Sequence, residues 1–484
     1  MRRCTLLRLL GAGPVLVLLL SAAASGQQPA PALSGAGGSP DWSRVEEETM
    51  RHFQALVRLD TSDPPGNEQP AADYLRQVLE KEGIPVQAFT LEPGRPNVVA
   101  RLKGSGTRRP LLIMGHTDVV NVDTAKWTHP PFSATKEGGY VYGRGALDDK
   151  DNVTAALMVM LMLKRLDVPL DRDVIFLAEA GEEGTTRVGI QFMVDRHFAD
   201  IEAEYCLAEG GGVTRRDGRV RYATVQTMEK IPRAVSLTAK GTSGHASVPL
   251  QSNPIVHLSA ALARIGDWQP PIRLNDTTRA YFQRLAHVSS GEEASRYRDV
   301  LDPQKAPAVE RYFRANDPAK AALLHATASP TIVDGGYRIN VIPSEAKATI
   351  DVRAMPDDDP AVLLEMIRKV VNDPSIAVEY ARRDVRPAGT SRLDTEVFEA
   401  IEAAVTRHYA TTTLPTMSTG ATDMAYLRAK GVQCYGIGPA VDAEDGPKGF
   451  GAHSDQERIL ERELHRFVRL NWDVVTELAR RGKE

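Results

Sequence analysis

The feature that most constrains the fold is a series of short apolar runs that alternate with helical patterns between residues 45 and 228. Four of the runs have the length and composition of buried strands. They cover residues 98–102, 111–114, 174–178 and 205–208. The clearest helical pattern between them covers residues 152–166. Buried strands that alternate with helices are typical of a mixed, mostly parallel sheet flanked by helices, so the sequence predicts an α/β domain.

A different pattern occupies the middle of the chain and predicts an inserted α+β domain. The sequence alternates as a strand does in residues 233–239, 331–340 and 345–353, and it has helical periodicity in 253–265 and 360–371. A polar, helix-leaning stretch, 275–326, resembles an insertion within this part, where it would fill a dimer interface or cover a site. After residue 386 the α/β pattern returns, with helices predicted at 395–409 and 457–481.

The length of 484 residues exceeds what one hydrophobic core usually supports, which agrees with two domains. The larger domain is predicted in two parts that flank the inserted one. The predicted boundaries are 1–26 for a signal peptide, 27–40 for a linker, 41–230 and 386–484 for the larger domain, and 231–385 for the inserted domain.

The N-terminus has the pattern of a secretory signal peptide. Arg2, Arg3 and Arg8 precede an apolar run at 16–20, and small residues follow up to Gly26. An uncleaved membrane anchor is the alternative, but the apolar run is shorter than the ~20 residues that a span requires. We therefore expect a secreted or periplasmic protein without stable membrane insertion after signal cleavage.

Charge and cysteine content argue against two kinds of site. The formal net charge is −4, and no cluster of Lys and Arg follows a nucleic-acid backbone, so no nucleic-acid partner is expected. Of three cysteines, Cys4 lies in the signal peptide, whereas Cys206 and Cys434 lie in separate apolar runs. These two are expected as buried thiols, with a disulfide as the alternative, and neither belongs to a zinc-binding cysteine pair.

One strand end and one turn carry the first candidate site residues. His116 follows the run 111–115, and Asp118, two residues later, can orient its imidazole, as carboxylates do for metal-binding histidines. Asp148 and Asp149 follow a glycine-containing turn and precede a long helix. Helix capping also explains this acid pair, so the segment alone leaves both interpretations open.

Three further segments repeat this arrangement of acids or histidine among small residues. Glu182 and Glu183 stand between glycines directly after a buried strand, where one carboxylate can bind a metal while the other acts as a general base. Glu209 ends another strand before three glycines, and His453 lies in a small-residue loop before the last helix. Two histidines and several carboxylates without a cysteine pair suit two divalent cations bridged by a carboxylate and a water.

The order of these motifs resembles the co-catalytic zinc peptidase and amidohydrolase family. The resemblance covers nearly all of the chain after the linker. The family includes glutamate carboxypeptidases, aminoacylases, carnosinase-type dipeptidases and succinyl-diaminopimelate desuccinylase. The segment W-T-H-P-P-F at 127–132 is similar to the aminoacylase and carboxypeptidase-S-like branches. The motifs that carry the family resemblance are HTD (116–118), GRGALDDK (143–150), GEEG (181–184), AEGGG (208–212), GTSGHAS (241–247) and GAHSD (451–455).

The resemblance implies a role for each motif in the larger, catalytic domain. Asp148 would bridge two zinc ions through a cis peptide to Asp149, with Co²⁺ or Mn²⁺ as alternatives to Zn²⁺. His116 and Glu209 would complete one ion, and Glu183 and His453 the other. Glu182 would be the general base, and Asp118 would orient His116.

The resemblance also assigns the inserted domain as a lid, or dimerisation, domain. His245 would stabilise the tetrahedral oxyanion, often from a partner subunit, so a homodimer through the lid is expected. Asn340 and Arg353 would hold polar groups of the substrate, and Ser418 and Gly420 would lie near its carboxylate end.

The implied function is hydrolysis of an amide bond in small peptides, as by a carboxypeptidase or dipeptidase. Hydrolysis of N-acyl amino acids is the alternative, because both reactions need the same metals and base and differ in pocket shape. An inactive binding protein of the same fold is a third reading, although such a protein would be expected to have lost a ligand or the base. Two departures from the family are Gly181 before the acid pair, where Asp is common, and Asp151-Asn152, where Gly is common.

Overall fold

The computed structural model describes residues 39–381 and 386–480. The predicted signal peptide and residues 27–38 of the predicted linker lie outside the described residues. Within the described ranges, no helix has both the length and the apolar character needed to cross a membrane.

The described residues form fourteen α-helices and twenty-one strands. The helices are α1 (Trp42–Val57), α2 (Gln69–Lys81), α3 (Lys150–Arg165), α4 (Ile190–Arg196), α5 (Phe198–Ile201), α6 (Pro254–Gly266), α7 (Asp276–Val288), α8 (Gly291–Asp299), α9 (Ala306–Asn316), α10 (Pro318–Ala322), α11 (Pro360–Val371), α12 (Glu396–Tyr409), α13 (Met424–Ala429) and α14 (Glu461–Ala479). The strands are β1 (Ser62–Asp63), β2 (Val86–Thr90), β3 (Pro96–Leu102), β4 (Leu111–His116), β5 (Val119–Val120), β6 (Thr135–Glu137), β7 (Tyr140–Tyr142), β8 (Val174–Glu179), β9 (Tyr205–Ala208), β10 (Gly212–Arg216), β11 (Arg219–Glu229), β12 (Ile231–Lys240), β13 (Gly244–His245), β14 (Thr327–Gly335), β15 (Val341–Ile342), β16 (Glu345–Ala354), β17 (Ile376–Tyr380), β18 (Thr413–Ser418), β19 (Gln433–Gly436), β20 (Ala440–Asp442) and β21 (Arg458–Leu460).

The larger domain is built on a ten-stranded mixed sheet. Its strands run in the order β2-β3-β8-β4-β9-β19-β11-β10-β20, and β18 lies beside β11. At its centre β4 is parallel to both β8 and β9, so the carboxyl ends of these three strands meet at one edge. Cys206 and Cys434 are paired neighbours on β9 and β19, and both are free and buried.

Helix α3 holds this edge of the sheet in place. Its side chains are buried on every face from Lys150 to Leu163, as expected for a helix enclosed by other elements. It packs against β4 on one side and against α1 and α14 on the other. The acids that precede α3 are thereby fixed beside the end of β4.

The inserted domain has a separate four-stranded sheet in the order β14-β16-β12-β17, with α6 and α11 packed on it. Its core is mostly aliphatic and includes Val235, Leu258, Ile350 and Leu363. The chain passes from the central sheet into this one between Glu229, the last residue of β11, and Ile231. The predicted combination of a helix-flanked α/β sheet with an inserted α+β unit is confirmed.

Three predictions need correction. The strand predicted at 331–340 is β14, which ends at Gly335, because Gly336 has a positive φ of 79° and turns the chain towards β15. The helix predicted from residue 457 begins at Glu461, because Arg458–Leu460 pair with β7.

The third correction concerns 275–326, which was predicted as an insertion in the lid. This stretch forms α7–α10, and α7 packs on β18 and β11 of the central sheet. Phe282 and Phe313 from the helices share an apolar cluster with Leu414 and Met417. The amphipathic face of α7 is thus buried against the catalytic sheet and not against the lid sheet.

Candidate metal centre and active site

The predicted metal ligands converge at the carboxyl ends of the parallel strands. His116 is the last residue of β4, and Glu183 and Glu209 follow β8 and β9. Asp148 precedes α3, and His453 lies in the loop before β21. Open α/β sheets generally place their sites at this edge.

Asp148 occupies the centre of the group. One carboxylate oxygen, Oδ1, lies 3.0 Å from Nε2 of His116, and the other, Oδ2, lies 3.0 Å from Nε2 of His453. The same His453 nitrogen is 2.9 Å from Oε1 of Glu183. A single carboxylate therefore faces both histidines, which is the arrangement that a bridging ligand requires.

Two overlapping sets of potential ligands share His116. Its ligand atom and those of Asp148 and Glu183 all lie within 4.8 Å of one another, and the same holds for His116, Glu182 and Glu209. The structure thus brings together all five predicted metal ligands and the predicted base.

Asp118 supports this group from behind. The Nδ1 atom of His116 is 3.0 Å from the backbone oxygen of Asp118 and 3.5 Å from its carboxylate. The same carboxylate accepts hydrogen bonds from the backbone N–H groups of Glu182, at 3.2 Å, and Glu183, at 3.0 Å. Asp118 therefore orients both His116 and the loop that carries the two glutamates.

Asp149 ties the segment around Asp148 to β4. The peptide bond between Asp148 and Asp149 is cis, as the family resemblance implies. The Asp149 carboxylate accepts a hydrogen bond from the backbone of His116 at 3.2 Å. It approaches β4 so closely that a Cβ atom on Gly115 would lie 2.6 Å from its Oδ2 atom, which explains the glycine before His116.

The crowded carboxylates of the group favour the binding of cations. Burial raises the pKa of Asp148, but hydrogen bonds from His116 and His453 outweigh it and hold the pKa well below its usual range. Hydrogen bonds to Asp148 and Glu183 raise the pKa of His453 to about 10. Burial, followed by the charges of Glu182 and Asp148, raises the pKa of Glu209 well above its usual value. Without metal, histidine protons thus neutralise crowded carboxylates, a task that divalent cations perform when bound.

The donor set also fits such cations. Imidazole nitrogen and carboxylate oxygen together suit Zn²⁺ and similar borderline divalent ions. A third acidic group, formed by Asp63, Glu68 and Asp118, is different because Arg95 already pairs with two of its three carboxylates. Arg95 Nη2 lies 2.8 Å from Asp63 and 2.5 Å from Glu68.

The predicted lid residues are not hydrogen-bonded to the metal ligands in the described part of the chain. His245 is exposed, and its Nδ1 atom is 2.7 Å from Oγ of Ser247. The backbone oxygen of the exposed residue Asn340 accepts a hydrogen bond from Ala246 at 3.1 Å. Arg353 pairs with Asp351 at 2.9 Å within the lid sheet.

Ser418 and Gly420 lie where the two domains join. Ser418 Oγ accepts a hydrogen bond from the backbone of Gly420 at 3.0 Å. The Ser418 backbone oxygen accepts another from Lys230, the residue between β11 and β12, at 2.9 Å. This loop therefore lies at the junction with the lid and not among the predicted ligands.

The structure also reveals site residues that sequence reasoning missed. Arg144 and Glu457 form a buried ion pair at 2.6 Å, and Glu457 also accepts a hydrogen bond from the backbone of Leu147 at 2.7 Å. Arg144 Nη2 is 3.4 Å from the backbone oxygen of His453. The pair thus connects the segments that carry Asp148 and His453. The position of Arg144 in the GRGALDDK motif was the only available signal.

Arg386 and Asp423 are a second missed pair. Arg386 Nη2 is 3.4 Å from Oε1 of Glu182, and its Nη1 is 3.3 Å from Oδ1 of Asp423. Asp423 follows Ser418 and Gly420 in the same loop, but Arg386 belongs to no motif. Only its position in the fold connects it with the site.

Comparison with known proteins identifies the family of the chain. The model of the peptidase family M20/M25/M40 matches residues 112–476. A probable carboxypeptidase S-like 2 of Dictyostelium discoideum is 28% identical over 62% of this chain, and the match spans 59% of that protein. Aminoacylase-1B of Rattus norvegicus is 24% identical over 90% of this chain and 96% of its own length.

Two solved structures share the fold. An M20 family metallo-carboxypeptidase from Sulfolobus solfataricus has a TM-score of 0.67 and 20% identity, covering 88% of this chain and 98% of its own. A dinuclear metal-binding peptidase of the M20 family from Bacillus subtilis has a TM-score of 0.59 and 14% identity, covering 90% and 99%. The predicted resemblance is confirmed: this chain is a hydrolytic enzyme that belongs to the metal-dependent peptidase family M20/M25/M40.

Proposed function

We propose that this enzyme uses two zinc ions to hydrolyse the amide bond of small peptides, as a carboxypeptidase or dipeptidase. The observation that carries the proposal is the position of Asp148, whose two oxygens each face a histidine at 3.0 Å. His116 and Glu209 would hold one ion, Glu183 and His453 the other, and Asp148 both. When bound, the two ions would polarise the amide carbonyl and make water a better nucleophile near neutral pH.

Glu182 performs the proton transfers in this proposal. Its carboxylate lies within 4.8 Å of His116 and Glu209, but it is not needed as a ligand because five other residues complete the two sites. It accepts a proton from the attacking water and passes it to the leaving nitrogen. The Asp118 carboxylate accepts the 3.2 Å hydrogen bond from the backbone of Glu182, which fixes the position of the base relative to the ligands.

The lid and the loop after β18 supply the groups that recognise the substrate. We place His245 at the oxyanion and assign Asn340, Arg353, Ser418 and Gly420 to the polar ends of the substrate. In the structure His245 is exposed and its side chain is hydrogen-bonded to Ser247, so this role requires closure of the lid or a second subunit.

The exposed face of the lid supports a homodimer. Strand β14 is an edge strand, and it exposes Ile332 and Val333. Exposed apolar side chains continue on α6 at Val256 and in the loop after β14, where Ile339 is 99% exposed. An unprotected edge strand beside apolar side chains is a typical surface for pairing with another chain.

Hydrolysis of N-acyl amino acids is the second candidate function, and the similarity to an aminoacylase supports it. Both reactions release an amine beside a carboxylate, so the ligand group alone does not distinguish them. Competing dipeptides and N-acyl amino acids, analysed by mass spectrometry, separate the two: the substrate with the higher kcat/KM identifies the function.

The metal-dependent reaction is tested directly by Glu182→Gln. This variant should retain two equivalents of zinc by elemental analysis but lose ~10²–10⁴-fold in kcat, because the amide cannot accept the proton. Glu137→Gln, at an exposed acid away from the ligands, is the control. Full activity of Glu182→Gln, or purified protein that binds no divalent metal, would contradict the proposal.

Export is proposed from the sequence of residues 1–26 alone. Expression of the full chain in a bacterial host should yield a periplasmic or secreted product that begins near residue 25–27. N-terminal mass spectrometry of that product is the measurement, and an intact N-terminus in the cytoplasmic fraction would contradict export.

A further inference from the structure

The general base of the proposed reaction is surrounded by other acids. Glu182 lies beside Glu183 in the chain, and the buried carboxylates of Asp423 and Glu179 also interact with its charge. A general base must be aimed at its proton, so a carboxylate crowded by other acids requires a positively charged group that fixes its orientation.

Arg386 is that group. Among the described residues, it is the only Lys or Arg that forms an ion pair with either Glu182 or Asp423. Its side chain is 17% exposed, against 10% for Glu182 and 2% for Asp423, so the three charges interact with little screening by water. The guanidinium also lies 5.9 Å from the ring centre of Tyr426, which limits its freedom on the remaining side.

The geometry of these contacts is specific to one oxygen of the base. Nη2 of Arg386 faces Oε1 of Glu182 at 3.4 Å and the backbone oxygen of the same residue at 3.5 Å. Nη1, the other end of the planar fork, faces Asp423 at 3.3 Å. Nη1 and Asp423 form an ion pair but no hydrogen bond, so the hydrogen bonds from Nη2 fix the end at Glu182 and the charge of Asp423 attracts the other end. A guanidinium constrained in this way restricts the rotation of the carboxylate that it contacts.

We infer that Arg386 is a positioning residue that holds Oε1 of Glu182 and thereby leaves Oε2 as the oxygen that exchanges the proton. Asp423 anchors the guanidinium from the opposite side, as the counter-ion of Arg386. This inference rests on the proposed function, because it assigns Arg386 to the base of that reaction. It adds a residue outside the strand-end motifs, supplied by the chain segment that follows the lid.

The inference predicts a loss of turnover without a loss of metal or substrate affinity. Arg386→Ala should reduce kcat ~100-fold, the effect of a misplaced catalytic group, and change KM and zinc content little. Arg386→Lys should recover part of kcat, because it restores the charge but not the fork. Millimolar guanidinium, far below denaturing concentrations, should restore part of the turnover of Arg386→Ala. The probes are Gly-Leu and N-acetyl-methionine, whichever the wild type cleaves.

Arg392→Ala is the matched control, because Arg392 lies on the same segment but pairs with Asp394 in the solvent. It should retain wild-type kcat and KM. A raised KM with unchanged kcat in Arg386→Ala would overturn the inference and assign Arg386 to the substrate. A loss of zinc, or an unfolded variant that neither Arg386→Lys nor guanidinium restores, would overturn it in favour of a structural role. Zinc-loaded wild type that cleaves neither probe would instead overturn the proposed function itself.

Discussion

The metal-ligand group and the substrate-facing part of the lid differ in how far one folded chain completes them. The ligands are mostly buried and bond to one another, as Asp148 does to two histidines. His245 and Asn340 are exposed, and their hydrogen bonds join lid residues to one another. Under the proposed function, folding of a single chain prepares the metal centre, whereas the proposed substrate half of the site depends on a further movement or a second subunit.

The largest expected effect tests whether the metal centre is a single unit. Asp148→Ala removes the ligand proposed for both ions, so we expect the loss of both zinc equivalents and of detectable turnover. Elemental analysis and isothermal titration with ZnCl₂ measure the binding. Asp394→Ala, at an exposed acid, is the control. Retention of one full equivalent by Asp148→Ala would show that the two sites are independent.

The second effect tests the separation of the lid from the centre. His245→Ala should lose on the order of 10²–10³-fold in kcat, because it removes an oxyanion donor, while zinc content stays constant. Steady-state kinetics and elemental analysis on the same sample are the measurements. His287→Ala, at an exposed histidine of α7, should be unchanged. Parallel loss of zinc and turnover in His245→Ala would contradict the comparison.

The third effect asks whether a second subunit completes the lid. Val333→Lys places a charge on the exposed edge of β14 and should convert a dimer into monomers. Light scattering after gel filtration measures the mass, and a fall in kcat at constant zinc content would show that His245 acts across the interface. Val288→Lys, at the last residue of α7, is the control. A monomeric wild type with full activity would show that the lid closes within one chain, without a second subunit.

The smallest effect concerns the junction between the two regions. Burial, with a further contribution from Arg353, lowers the pKa of Lys230 to about 7. Between pH 7 and 10 the unfolded chain binds a proton that the folded chain has released, so this group makes stability rise with pH, by at most about 1.4 kcal/mol per pH unit. Lys230→Met should flatten this part of the profile.

Urea unfolding of the metal-free protein at several pH values measures that slope. Lys126→Met, at an exposed lysine, is the control and should keep the wild-type slope. An unchanged profile in Lys230→Met would show that the lysine ammonium reaches solvent at the junction.

The sequence predicted the central sheet and the convergence of the candidate ligands at its edge, because both depend on local patterns. In β4 with His116, and in β8 with the glutamates that follow it, a few consecutive residues indicate both a buried strand and the chemistry at its end. The packing of α7 on β18 could not be predicted in this way, since an amphipathic face does not specify its partner. Arg386 was missed for the same reason: its contact with Glu182 joins residues 204 positions apart.

The Arg144–Glu457 pair has a consequence for how the enzyme is made. It joins residues 313 positions apart, and the ligands that it connects, Asp148 and His453, come from opposite sides of the inserted lid. During synthesis, the segment with Asp148 therefore emerges long before its partner. A chain truncated before His453 would lack a ligand of one proposed ion, so full loading of the proposed metal centre, and the hydrolysis that depends on it, must wait until nearly the whole polypeptide has been made. In the proposed mechanism, the late position of His453 in the chain thereby makes its synthesis a condition for activity.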